Sequence, residues 1–244
     1  MKAESASVSI VLLGKFQPDN FLPEKLVSGK VISRKLAEAA SYVALLPGYQ
    51  AQFKFGWGEL LVLQNRFQIT TTEAPYIRIC DFALKTLGDL APESTVTAFG
   101  INRDSHYNLH SIAARDNLGK RLAPPEAWGA WGAKLRDSMK RKDRDAALHG
   151  GVLLVQMRLP FLENGIVGWL DVTVAPSSVI PKNSGVFFRA NHHHQVSYSA
   201  SEGEEESKEP SASDTTSKLL ASLFDRFENS IADSESIFQG IITS

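Results

Sequence analysis

After Gly150-Gly151, three strand-like runs follow one another directly: GVLLVQMRLPFL, GIVGWLDVTVA and GVFFRANHHHQVSYSA. Only Glu163-Asn164-Gly165 separates the first two, and Asn-Gly readily takes the positive φ angles that a tight hairpin turn requires. Strands clustered in this way belong to an antiparallel meander. They direct the chain away from the regular strand–helix alternation of a doubly wound fold.

The N-terminal half has the same texture. VSIVLLGKF reads as a first strand, followed by a loop carrying Pro18 and Pro23. The next segment, KLVSGKVISRKLAEAASYVALLP, is open between helix and strand: Leu36, Ala39, Ala40 and Val43 have helical spacing, and Pro47-Gly48 ends the element. YQAQFKFGWGELLVLQNRFQITT reads as two antiparallel strands joined at GWG. In it, Gln50, Gln52 and Lys54 alternate with Ala51, Phe53 and Phe55 at the period of a half-buried strand. In YIRICDFALKTLGDL, Ile79, Phe82, Ala83 and Leu87 share one helical face, with Gly88 as its expected stop. TVTAFGINRDSHYNLH alternates again as a strand. Residues 108–148 are polar and turn-rich around the helix-like EAWGAWGAKLRDSMKRKDRDAAL. The expected fold class is therefore α+β: a mainly antiparallel sheet with two or three packed helices.

Past Tyr198 the texture changes. SASEGEEESKEPSASDTTS holds no bulky apolar side chain and cannot bury enough surface to offset the entropy of ordering. Beyond it, Leu219, Leu220, Leu223, Phe224, Phe227 and Ile231 fall at helical spacing, with Ser217 a suitable N-cap. The expected organisation is an α+β body over 1–200, an acidic linker over 201–217 and an amphipathic helix over 218–244. The formal net charge of −1 is then a cancellation. Up to Ser201 there are 23 Lys/Arg against 17 Asp/Glu, and from Glu202 onward 3 against 10. A basic body carries an acidic tail.

Few chemistries fit these residues. The single cysteine, Cys80, excludes a disulfide framework and a cysteine-rich zinc site, and its place on an apolar helical face reads as a buried thiol. FGWG lies before a strand, where a hairpin turn is expected; a nucleotide fingerprint needs its glycines before a helix. No G-x-x-x-x-G-K-[ST] and no G-x-S-x-G occurs. The apolar run Val8–Leu13 is too short for a secretory core, and no window reaches the length of a membrane-spanning helix, so a cytoplasmic setting is expected.

Three candidate sites remain. An apolar helix behind a polar tether needs something to dock on, which makes Leu220, Leu223, Phe224, Phe227 and Ile231 candidate partner-binding residues. Trp128 and Trp131 precede Arg136, Lys140, Arg141, Lys142 and Arg144, a pattern that serves either a solvated helix face or phosphate contact with aromatic stacking. His192 and His194 would share one face of a strand about 7 Å apart, either as polar core residues or as a chelating pair whose further ligand comes from elsewhere.

Several blocks resemble a sporadically distributed bacterial protein family of similar length whose function is not established. They are QNRFQITTTEAPYIRICDFALKTL, VTAFGINR, GIVGWLDVTVA and the closing LFDRFENSIADSESIFQG. The resemblance implies an α+β body ending in a helix, in the bacterial cytoplasm, within a multi-gene system; it supplies no catalytic residues. The expectation is a non-enzymatic binding or assembly protein without a cofactor. It would meet another protein or a second copy of itself through its C-terminal helix and would have no membrane partner. The alternatives are a nucleic-acid-associated factor using 134–144 and a metal-dependent enzyme using the histidine run.

Overall fold

Strand β1 (Ser5–Lys15) occupies the middle of the sheet, with four strands on either side. On one side it pairs with the end of a meander made of β2 (Ser41–Leu46), β3 (Gln50–Phe55), β4 (Gly58–Leu63) and β5 (Arg66–Thr71). On the other it pairs with β6 (Thr95–Asn108), which leads to β9 (Gly185–Val196), β8 (Ile166–Pro176) and β7 (Val155–Glu163). The order across the sheet is β2-β3-β4-β5-β1-β6-β9-β8-β7, and every neighbouring pair is antiparallel. The protein is thus α+β. The computed structural model describes residues 1–139, 151–163, 165–196 and 211–243.

The helices are α1 (Pro23–Ser28), α2 (Arg34–Glu38), α3 (Ile77–Lys85), α4 (Ile112–Leu122), α5 (Gly129–Met139) and α6 (Ala212–Thr243). Helices α3 and α6 lie on the same face of the sheet. Val8, Ile10 and Leu12 of β1 are fully buried beneath that layer with Phe53, Leu60, Phe67 and Ile69, while Ser7, Ser9 and Val11 point to the other side. Among the described residues, no helix is long and apolar enough to cross a membrane.

Helix α6 spans 32 residues, about 48 Å at 1.5 Å per residue. Leu219, Leu223, Phe227 and Ile231 recur every fourth position and enter the larger core cluster. Phe238 enters a smaller cluster, where its ring stacks on Phe188 at 5.2 Å. One helix therefore ties the two clusters together. Ser222, Ser230 and Ser234 are buried beside this stripe, small enough for the helix to lie close to the strands.

The structure departs from the sequence reading in five places. ELLVLQNRFQITT forms two strands that turn at Gln64-Asn65. Val43 lies in β2 and does not extend the helical spacing of Leu36. Helix α3 continues past Gly88 as a π turn, Thr86–Leu90. Helix α4 arises within the turn-rich stretch, capped by Ser111 Oγ, which accepts from the Ala114 amide at 3.1 Å. Helix α6 begins at Ala212, not near 218. The Ser211 hydroxyl accepts from the Asp214 amide at 3.1 Å and donates to Asp214 Oδ2 at 2.8 Å, a reciprocal cap that starts the helix before Ser217.

Candidate functional site

The apolar stripe expected to meet a partner meets the chain's own sheet. Leu223 and Phe227 are fully buried, Ile231 is 9% exposed and Leu220 is packed against the same core; of the five, Phe224 alone faces outward. The cause is spacing: positions 219, 223, 227 and 231 form one stripe, and 224 lies about 100° around the helix from 223. The aromatic pair ahead of the basic segment is exposed, with the Trp128 and Trp131 rings 5.5 Å apart. Arg136 pairs with Glu126 at 3.2 Å, which offsets its charge. Lys140, Arg141, Lys142 and Arg144 lie outside the described residues.

The histidine run divides by strand alternation. His192 and His194 point to the α6 side and are buried, while His193 points to the other face. His192 Nε2 lies 3.0 Å from Ser234 Oγ on α6. His194 stacks on Phe99 at 4.5 Å and lies 5.0 Å from the Phe161 ring. Burial pushes the His194 imidazole down to about 3, helped by the nearby positive charge of Arg226. Among the described residues, no group of three or more His, Cys, Asp or Glu side chains is placed to hold a metal ion. Cys80 is buried, and burial raises its thiol to about 12, which leaves it unreactive near neutral pH.

The face of the sheet opposite α6 is polar. At its centre a cleft has a small-residue floor (Ser7, Ser9, Gly100) and a rim that includes Arg66, Asn102, Asn191 and His193. Arg189 and Asp104 in its wall form a bidentate ion pair at 2.6 and 2.8 Å, and on the same face of the sheet Arg158 pairs with Asp171 at 2.7 Å twice. The Arg158 hydrogen bonds hold the Asp171 carboxyl below the usual carboxylate range. The Trp169 ring stacks on the His193 ring at 4.1 Å, and the Arg158 guanidinium lies 4.4 Å from its centroid. Sequence reasoning missed these residues. The available signal was charged and amide side chains at alternate positions (Asn102 and Asp104; Arg189, Asn191 and His193) of otherwise apolar strands.

The two outer strands differ. On β2, Tyr42, Val43, Leu45 and Leu46 are 45–54% exposed, and the strand carries neither charge nor proline. On β7, Met157, Leu159 and Leu162 are exposed, yet Arg158, Pro160 and Glu163 interrupt them. Comparison with known proteins finds no family model and no curated protein that this sequence matches.

Proposed function

We propose that this protein is a non-enzymatic binding and assembly protein whose partner adds to the β2 edge of its sheet. The observation that carries the reading is the edge Ser41–Leu46, which has neither charge nor proline. Its outer backbone groups have no strand neighbour among the described residues, and its side chains are apolar on both faces. Proteins that stay monomeric blunt such edges with charge, proline or a bulge that twists the strand away. Here β7 carries the first two devices, and β2 has only a register shift between Tyr42 and Ala44. A strand of this kind accepts another strand by main-chain pairing. A second β2 fits it without like-charge repulsion, so the partner is a second copy of the chain. In this reading α6 is an internal strut, and its apolar stripe is not the partner surface.

Light scattering of the full chain, against a Leu45→Lys/Leu46→Lys variant, tests this. The expected result is a dimer or larger assembly that falls to the monomer mass in the variant, with the circular dichroism spectrum unchanged. A wild-type chain that is monomeric at tens of micromolar, or an assembly indifferent to the two lysines, would overturn it.

A further inference from the structure

The face of the sheet opposite α6 carries, at its centre, residues that strands avoid. Gly100, Asn102 and Asp104 occupy alternate positions of β6, and Asn191 lies directly opposite Asn102 on β9. Glycine, asparagine and aspartate are depleted in strands, and a glycine in a strand interior marks a place where another group approaches closely. A face that only met water would be as well served by threonine. Here the short side chains leave a cleft of about 350 Å³, the lower end of the ~300–1,000 Å³ usual for small-molecule sites.

Above Gly100 the cleft has a planar wall. His193 is flanked across the sheet by Trp169 on β8 and by Gly100 on β6. Its ring stacks on Trp169 with 4.1 Å between centroids and 19° between planes, so its other face looks across the strands toward β6. Gly100 has no side chain to cover that face, and Val11 of β1 stands next in the same row. Two strand spacings, about 9–10 Å, separate the imidazole from the valine, room for one flat ring. Asn191 Oδ1 and Asn102 Nδ2 lie 3.0 and 3.8 Å from the point that a Cβ on Gly100 would occupy, an acceptor beside a donor at the edge of this slot. Both side chains are half-buried, line the cleft and have no hydrogen-bond partner among the described residues.

The charges add a second requirement. Asp104 is paired with Arg189, and Asp171 with Arg158. Arg66, across the cleft on β5, meets no carboxylate among the described residues. Its Nε and Nη2 donate to Gln68 Oε1 at 3.2 and 2.7 Å, which leaves Nη1 unengaged. Gln68 stands in the same cross-strand row as Val11 and Gly100, so the guanidinium lies on the order of 10 Å from the slot.

We propose that this cleft binds a mononucleotide, its base stacked on His193 above Gly100 with one edge on Asn102 and Asn191, and its phosphate on Arg66. Bases stack on histidine as on other aromatic rings. Adenine, for one, presents an N6–H donor beside an N7 acceptor, and a guanidinium matches phosphate oxygens. The site shares no residue with the β2 edge.

Calorimetric titration of the full chain with AMP, GMP, CMP and UMP tests the assignment. At least one should saturate, with its own nucleoside and ribose 5-phosphate each weaker by about tenfold or more. Arg66→Met should bring that nucleotide down to the level of its nucleoside and leave nucleoside binding unchanged. Gly100→Val fills the slot with a side chain that strands favour, where the first contact is the movable Asn191 amide. It should weaken nucleotide and nucleoside alike by about tenfold or more, with the circular dichroism spectrum unchanged. Saturation by none of the four at millimolar concentration would overturn the proposal. So would a nucleoside or ribose 5-phosphate that binds as tightly as the nucleotide, or nucleotide binding indifferent to either substitution.

Discussion

His192 on β9 is joined to Ser234 on α6 by a 3.0 Å contact between Nε2 and Oγ, and the same hydroxyl donates to the Ser230 carbonyl at 2.6 Å. Because the hydroxyl proton is committed to the helix backbone, its lone pair accepts from the imidazole, which sets the Nε2–H tautomer. Ser234→Ala removes the hydroxyl acceptor and leaves the imidazole its hydrogen bond to the Ser230 backbone. The expected cost is about 0.5–1.5 kcal/mol, read as a lower midpoint in urea with an unchanged slope.

Stability should depend on pH in a window that belongs to the histidines. Burial lowers the titration of His192, His193 and His194 below their ordinary value of 6.5, and brings His194 to about 3. Below pH 6.5 the unfolded chain therefore takes up protons that the folded chain refuses, so stability is lost as pH falls and restored as it rises. Asp171 is shifted the other way by Arg158 and also loses stability in acid, but only as pH falls past its ordinary value of 3.8. The urea midpoint should thus fall between about pH 7 and pH 5, and His194→Phe should flatten the slope. A profile that is level across that window in the wild-type chain would contradict the assignment.

How much of this was legible depends on the range of the interaction. Val8, Ile10 and Leu12 against Ser7 and Ser9 announce a strand with one buried face, because alternation is local and needs no partner. The turn at Gln64-Asn65 was legible too, but only as a change of phase: Leu60 and Val62 are buried at even positions, Phe67 and Ile69 at odd ones. Helix α4 escaped because Arg115 and Leu118 are its only buried residues, too few for a stripe. That His192 and His194 share a face follows from their spacing. That this face lies under Ser234 does not, since it depends on residues about forty positions away. The contact of His194 with Phe161 is further out of reach, because Phe161, Gly168 and His194 stand side by side only through the register of three strands.

Helix α6 offers a paired comparison of its two sides. Phe227 is fully buried and Phe224 is 56% exposed, three residues away. Phe227→Ala should cost about 3–5 kcal/mol by opening a cavity in the larger core. Phe224→Ala should change stability by no more than about 0.5 kcal/mol. Thermal unfolding of the two variants checks the difference, and equal losses would show that the stripe is not seated as described.

Two glycines should respond to the same substitution with opposite sign. Gly168 sits between Phe161 and His194 in the register, where an added Cβ would meet the His193 carbonyl oxygen and approach Phe161 Cζ to 2.7 Å. The obstruction is backbone, so Gly168→Ala must displace a strand, at a cost of about 1–3 kcal/mol. Gly240 lies exposed in the last turns of α6, with open space where its Cβ would be. Gly240→Ala should stabilise the helix by up to about 1 kcal/mol. Urea denaturation of both variants separates the effects.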